Sequence, residues 1–196
     1  MAKLCFGGAF NPIHHGHLLC ARAAAEALGL DGVLLIPSHW SPLKAYDTDM
    51  ASASDRLEMC RLATAGMPGF EIDDCELHRP PPSYTIDTVA HFRQAGWSQV
   101  FWLIGSDQVA SLPKWHRPHD LLQQTHIVIA ARPGWQIDWS LLPPEYAILA
   151  QRVVAAPAIE ISSTDIRRRV AAGKPIDFLT PPAVCRYIRQ RGLYCP

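Results

Sequence analysis

Apolar and polar positions follow two alternating regimes along this chain. Short, nearly continuous apolar runs read as buried strands: Leu4-Cys5-Phe6, GVLLIP from Gly32 to Pro37, FEID from Phe70 to Asp73, QVFWLIG from Gln99 to Gly105, HIVIA from His126 to Ala130, and a weaker run from Arg152 to Ala156. Between them lie stretches with helical signals. His17 to Leu28 is rich in alanine, with Gly29 as its C-terminal cap. Ser52 or Ser54 can cap a helix that runs to about Ala65, and Ser83 can cap one from Tyr84 to about Ala95. SSTDIRRRVAAG is a capped helix that Gly173 ends, and the last helix is bracketed by Thr180 as N-cap, Pro181 at the first helical position and Gly192 past the end. Trp40 to Ala51 and RPPPS read as loops. This alternation predicts an α/β fold with a doubly wound, mostly parallel sheet, whose ligands sit at the carboxyl ends of strands near a change in strand order. No repeat, low-complexity tract or linker is visible, so one domain is expected over residues 1–196, with a helical C-terminal part from about residue 160 to 196.

Composition limits the function classes. The 18 basic and 18 acidic residues cancel, which leaves no bulk field to attract nucleic acid or a membrane surface. Phosphate chemistry must then rest on local groups. No apolar run approaches a membrane span, and no basic-then-apolar leader opens the chain. The six cysteines are scattered without a C-x-x-C pair, which predicts reduced thiols and a cytoplasmic setting.

The chemistry concentrates in CFGGAFNPIHHGHLL, which begins at Cys5. A glycine-rich turn leaving a strand lets the backbone approach a ligand closely, and the helix after it aims free N–H groups back at the turn. His14 and His17, three apart, share a face at helical spacing, and each offers a donor; an imidazolium beside phosphates is favoured. Neither a P-loop nor a dinucleotide fingerprint is present, because G-x-x-x-x-G-K-[ST] is absent and G-x-x-G does not follow Gly7-Gly8. A zinc site on His14, His15 and His17 is disfavoured: His15 should point elsewhere, and no carboxylate or paired thiol lies close by in sequence. No protein-held metal is expected.

GGAFNPIHHGHL resembles the G-G-x-F-[DN]-P-x-H-x-G-H signature of the nucleotidyltransferase superfamily. ISSTDIR, from Ile161 to Arg167, resembles its second phosphate-binding motif. SYTIDT (Ser83 to Thr88), GSDQVASLPKW (Gly105 to Trp115), ARPG (Ala131 to Gly134) and PPAVCRYIRQRGLY (Pro181 to Tyr194) resemble the bacterial nicotinate-nucleotide adenylyltransferases. The likeness spans nearly the whole chain in order.

The resemblance implies a Rossmann-like fold and a reaction between ATP and nicotinate mononucleotide that gives nicotinate adenine dinucleotide and pyrophosphate. It implies His14, His17, Lys44 and Arg167 as catalytic groups acting on the phosphates. Gly8, Phe10, Asp107, Arg132, Ile161, Ser162 and Ser163 would bind ATP, and Thr85 and Trp115 the mononucleotide. Within that set, Gly8 and Phe10 shape the turn, the Ser162-Ser163 pair holds the leaving phosphates, Asp107 meets the ribose region, and Arg132 lines the adenine pocket. Mg²⁺ rides on the ATP phosphates, since no compact carboxylate cluster is visible to cage it. The chain departs from the family pattern at two points: Leu43, not histidine, precedes Lys44, and Asn11 replaces the commoner Asp. Two alternatives stay in view: a superfamily relative acting on nicotinamide mononucleotide or another phosphorylated acceptor, or using CTP, and a non-catalytic nucleotide- or RNA-binding module on the same fold.

Overall fold

A computed structural model describes residues 2–40, 50–131 and 136–195. Six strands form one sheet: β1 (Lys3–Gly8), β2 (Gly32–Pro37), β3 (Phe70–Ile72), β4 (Phe101–Gly105), β5 (His126–Ala131) and β6 (Val153–Ala155). Their order is β3-β2-β1-β4-β5-β6, and every pairing is parallel. The helices are α1 (His15–Ala27), α2 (Ala53–Thr64), α3 (Thr85–Gln94), α4 (Pro118–Gln124), α5 (Ser163–Ala171) and α6 (Pro182–Arg191). Among the described residues four 3₁₀ segments, Cys75–His78, Ser106–Lys114, Trp139–Leu141 and Pro144–Arg152, fall almost wholly where the sequence announces neither helix nor strand.

The continuous apolar runs are explained by burial on both faces. Along β1, Leu4 joins the core beneath α1, α2, α5 and α6, while Cys5 joins the core beneath α3 and α4. Val33 and Leu34 divide the same way, as do Leu103 and Trp102, and Val128 and Ile127. A strand's period of two thus supplies both cores with no polar position between them.

Two predicted caps are corrected. Thr180 does not cap the last helix; Pro181 is its N-cap, Pro182 opens it, and the Thr180 hydroxyl donates instead to the Ile13 carbonyl at 2.7 Å. Ser83 does not cap α3; Tyr84 is the N-cap without a side-chain bond, and the Ser83 hydroxyl accepts the His39 N–H at 3.0 Å. In both cases a distant segment outcompetes the local backbone for the hydroxyl. Ser52 and Ser162 do cap α2 and α5, accepting from the N–H groups of Asp55 and Asp165. Gly29 and Gly192 take the left-handed backbone expected past a helix end.

Candidate active site

The chain builds β1, β2 and β3 outward to one side, then returns to lay β4 against the other side of β1. At this switch point the carboxyl ends of β1 and β4 diverge and leave a cleft with two compartments. The first, of about 530 Å³, is lined by Gly8, Phe10, His14, His17, Asp107, Ile161, Ser162, Ser163 and Arg167 among others. The second, of about 800 Å³, is lined by Glu76, Tyr84, Thr85, Trp115 and His116 among others. Both share Gly7, Gly8, Ala9, Leu103, Asp107 and Gln108 as a common wall. Lys44 and Arg132 lie outside the described residues.

The glycine turn is shaped by contact. A Cβ on Gly7 would stand 2.6 Å from the Trp102 ring, so only glycine lets β1 lie over that indole. Phe10 holds a left-handed backbone, φ 46°, which costs a non-glycine residue about 1–2 kcal/mol. Its buried ring packs edge-on against Phe6 and His17, at 5.5 and 5.2 Å between centroids, and this anchors the strained residue.

His14 is the N-cap of α1, and the two histidines cap each other. The His14 Nδ1 accepts the His17 N–H at 3.4 Å, and the His17 Nδ1 accepts the His14 N–H at 3.3 Å. Their rings stack at 3.6 Å with 23° between planes. With both Nδ1 atoms accepting, the neutral rings carry their protons on Nε2. A proton on either Nδ1 would break the reciprocal cap. Gly16 completes the arrangement, since a Cβ there would sit 3.0 Å from His14 Nδ1 and 3.1 Å from its Cε1.

Helix α5 is fastened to the same turn. The Ser163 hydroxyl donates to the Pro12 carbonyl at 2.8 Å, and Arg167 Nη1 donates to the Asn11 carbonyl at 3.0 Å. Ser162 Oγ accepts from Asp165 N–H, so its own O–H still has a proton to donate. The Ser163 hydroxyl is committed to Pro12, and the residue is the first of α5, where a backbone N–H has no partner within the helix. Asp107 sits just beyond β4 with its carboxylate folded against Gly105, where any Cβ would collide with it.

In the second compartment Thr85 opens α3, and Trp115 Nε1 donates to Ser111 Oγ at 3.2 Å. Sequence reading missed the Tyr84 and His116 rings, stacked at 4.2 Å, though each adjoins a residue it selected. It also missed Glu76, 4% exposed, which accepts from the Thr88 hydroxyl at 2.6 Å. Burial pushes the Glu76 carboxyl above its ordinary range, against hydrogen bonds from Thr88 and Ser83 and the charge of Arg79. Among the described residues no group of three or more His, Cys, Asp or Glu side chains could hold a metal ion.

The chain is similar in sequence and fold to known proteins. The pattern of the cytidylyltransferase-like family matches residues 5–169. A protein of Herpetosiphon aurantiacus named "Probable nicotinate-nucleotide adenylyltransferase" is 42% identical over 191 residues, covering 96% of each chain. One of the same name from Neisseria meningitidis serogroup B is 42% identical over 198 residues, again covering 96% of each. The fold is shared with nicotinic acid mononucleotide adenylyltransferase of Plasmodium falciparum, solved with NaAD: the TM-score is 0.76 at 18% identity, over 99% of this chain and 98% of that one. With so much of its length matched at that identity, and with the cleft set where such a fold binds its ligands, the chain belongs to the cytidylyltransferase-like family and, within it, to the nicotinate-nucleotide adenylyltransferases.

Proposed function

We propose that the protein transfers the adenylyl group of ATP to nicotinate mononucleotide, giving nicotinate adenine dinucleotide and pyrophosphate, a step of NAD biosynthesis. The observation that carries this reading is the pair of compartments sharing one wall at Gly7, Gly8 and Ala9. ATP occupies the compartment of His14, His17 and α5, and the mononucleotide that of Thr85 and Trp115. An oxygen of the mononucleotide phosphate attacks the α-phosphorus of ATP; the bond from that phosphorus to the β-bridging oxygen breaks, and pyrophosphate leaves with the electron pair. A phosphate oxygen is already ionised at neutral pH, so no general base is required, and catalysis consists of positioning and charge stabilisation.

Each selected residue has a role in this scheme. Gly8 and Phe10 bring backbone close to the phosphates. His14 and His17 donate from Nε2 as charge shifts toward the leaving group. Ile161, Ser162 and Ser163 present the start of α5 to the β- and γ-phosphates, and Arg167 adds a fixed charge. Asp107, on the wall the two compartments share, meets the ribose; the roles of Lys44 toward the phosphates and of Arg132 toward adenine rest on the family resemblance alone, since both lie outside the described residues. Mg²⁺ enters as the ATP complex; Asp107 is the one carboxylate lining the phosphate compartment among the described residues, too few to cage the ion without the phosphates.

We read residues 1–196 as one nucleotidyltransferase domain with a helical C-terminal part from about 160. This is supported by the core on one face of the sheet, which joins Leu4 and Val33 to Ile166, Val184 and Ile188 of the C-terminal helices. A cytoplasmic location agrees with six free thiols, and no described helix is long and apolar enough to cross a membrane. The test is incubation with Mg²⁺, ATP or CTP, and a panel of acceptors: the two pyridine mononucleotides and phosphopantetheine. Nicotinate adenine dinucleotide should form from ATP. Comparable turnover of CTP, or of phosphopantetheine, would replace this reading with another transferase of the family.

A further inference from the structure

Arg56, on α2, is 1% exposed, and among the described residues no carboxylate lies within 4 Å of it. Its guanidinium is surrounded by backbone carbonyls instead. Nη1 donates to the Ala9 carbonyl at 2.6 Å and to the Ser38 carbonyl at 2.7 Å, Nη2 to His39 at 3.2 Å, and Nε to Ala51 at 3.2 Å. A guanidinium remains a cation even when buried. A buried cation without a counter-charge is costly, and four carbonyl dipoles offset only part of that cost. If bridging were all that was needed, a neutral donor would serve.

The peptide geometry shows what the bridging does. In a trans peptide the C=O and the following N–H point in opposite directions. Arg56 draws the Ser38 carbonyl inward, and the next N–H, that of His39, points away to Ser83 Oγ beside the second compartment. The same rule applies at the glycine turn. The Ala9–Phe10 bond is trans, and Arg56 draws the Ala9 carbonyl inward, so the Phe10 N–H points away from Arg56. Ala9 and Phe10 both line the first compartment. A cation bonded to a peptide carbonyl also polarises that peptide and strengthens its N–H as a donor.

We propose that Arg56 is a positioning residue of the nucleotide site: it turns the Ala9–Phe10 peptide so that the Phe10 N–H meets the ATP phosphates, and those phosphates supply the charge that balances it. This rests on the proposed function only in naming ATP. Calorimetric titration with ATP and Mg²⁺, without acceptor, tests it on the wild type, Arg56→Lys, Arg56→Gln and Leu149→Ala. Leu149 is a fully buried residue that lines neither compartment, and its variant controls for lost stability. Lysine keeps the charge but loses the fork. Arg56→Lys should bind ATP roughly tenfold more weakly, the effect of one charge-assisted bond, while Leu149→Ala stays within twofold. Arg56→Gln, which loses both charge and fork, should be weaker still. Should the Arg56 variants fail to fold, the wild-type Phe10 amide proton decides: in an NMR titration it should move downfield on adding ATP. An unmoved Phe10 amide, or an Arg56→Lys protein binding ATP within twofold of wild type, overturns the proposal. A wild type that binds ATP but makes no dinucleotide from any acceptor overturns the functional reading and leaves this one standing.

Discussion

The His14 and His17 side chains each accept the other's backbone N–H through Nδ1, and their rings lie stacked 3.6 Å apart. One bond pair thus caps α1 and fixes which nitrogen of each ring can donate. Replacing His17 by Ala should lower kcat far more than it weakens binding of the mononucleotide, because its donor matters most as charge moves to the leaving group. Loss of one such donor costs about 3 kcal/mol, roughly a hundredfold or more. Steady-state kinetics with both substrates varied provides the check, and a variant with near-wild-type kcat removes His17 from the mechanism. Added zinc should not rescue it.

Gly16→Ala separates position from presence. The added methyl would press on the His14 ring at 3.0–3.1 Å and must displace it by a few tenths of an ångström. Gly16 lies in the first turn of α1, where alanine is also a good helix former and adds no backbone strain. The variant should therefore melt close to wild type while kcat falls at least tenfold, since small misplacements of a positioned group are expensive. Unchanged turnover would show that the stacked geometry is not needed.

The acceptor preference follows from α3. Its N-cap, Tyr84, makes no side-chain bond, so the first-turn N–H groups at Thr85 keep their pull on an anion. Nicotinate mononucleotide presents a carboxylate there, and its amide counterpart an NH₂ that faces donors. A bond to the charged group contributes about 1.5–3 kcal/mol, which gives the acid roughly a tenfold to hundredfold advantage in kcat/KM. Competition at equal concentrations, with products separated by charge, measures it. An even product ratio would reassign the acceptor and leave adenylyl transfer intact.

Acid should loosen the joint between α2 and α6. Asp55 accepts from Tyr187 Oη at 2.9 Å, from Arg191 Nε at 3.2 Å and from Ser52 Oγ at 2.6 Å. Burial works to raise its pKa, but these bonds and the Arg191 charge outweigh it and hold the carboxyl below its ordinary value. A depressed folded-state pKa contributes stability above the unfolded value of about 3.9, and that stability is lost as pH falls toward the folded one. Asp55→Asn should cost about 1–2 kcal/mol at pH 7, roughly 2–8 °C in Tm. The gap between the two proteins should shrink as pH drops from about 5 to about 3. A gap that is constant across this range would mean that the Asp55 charge carries none of it.

The sheet was legible because its strands are apolar on both faces, and the glycine turn because Gly7-Gly8 and the His14–His17 spacing are local signals. Thr180 and Ser83 misled for the converse reason. Cap rules weigh a hydroxyl against its own neighbours, whereas Thr180 bonds to Ile13 and Ser83 to His39. Arg56 left no trace in the sequence, since its partners are carbonyls that every residue possesses. Nor could spacing reveal that Asn11 Oδ1 takes both the Ala51 N–H and the Tyr194 hydroxyl, at 3.0 and 2.8 Å. Burial pushes the Tyr194 phenol up despite Arg167 and Arg56 nearby, which keeps it a donor.

The turn at residues 10–15 is held by partners made long after it. Ser163 and Arg167 fasten Pro12 and Asn11, Leu179 accepts the His15 N–H, Thr180 fastens Ile13, and Tyr194 reaches Asn11 across 183 positions. During synthesis the first strand and its glycine turn emerge well before anything that can lock them. A growing chain that stops short of residue 163 can pair β1 with β2 and β4, but its turn lacks every one of these fastenings. Closing such long loops is the slow part of folding. The order of translation thus delays the nucleotide site until the sheet beneath it has formed.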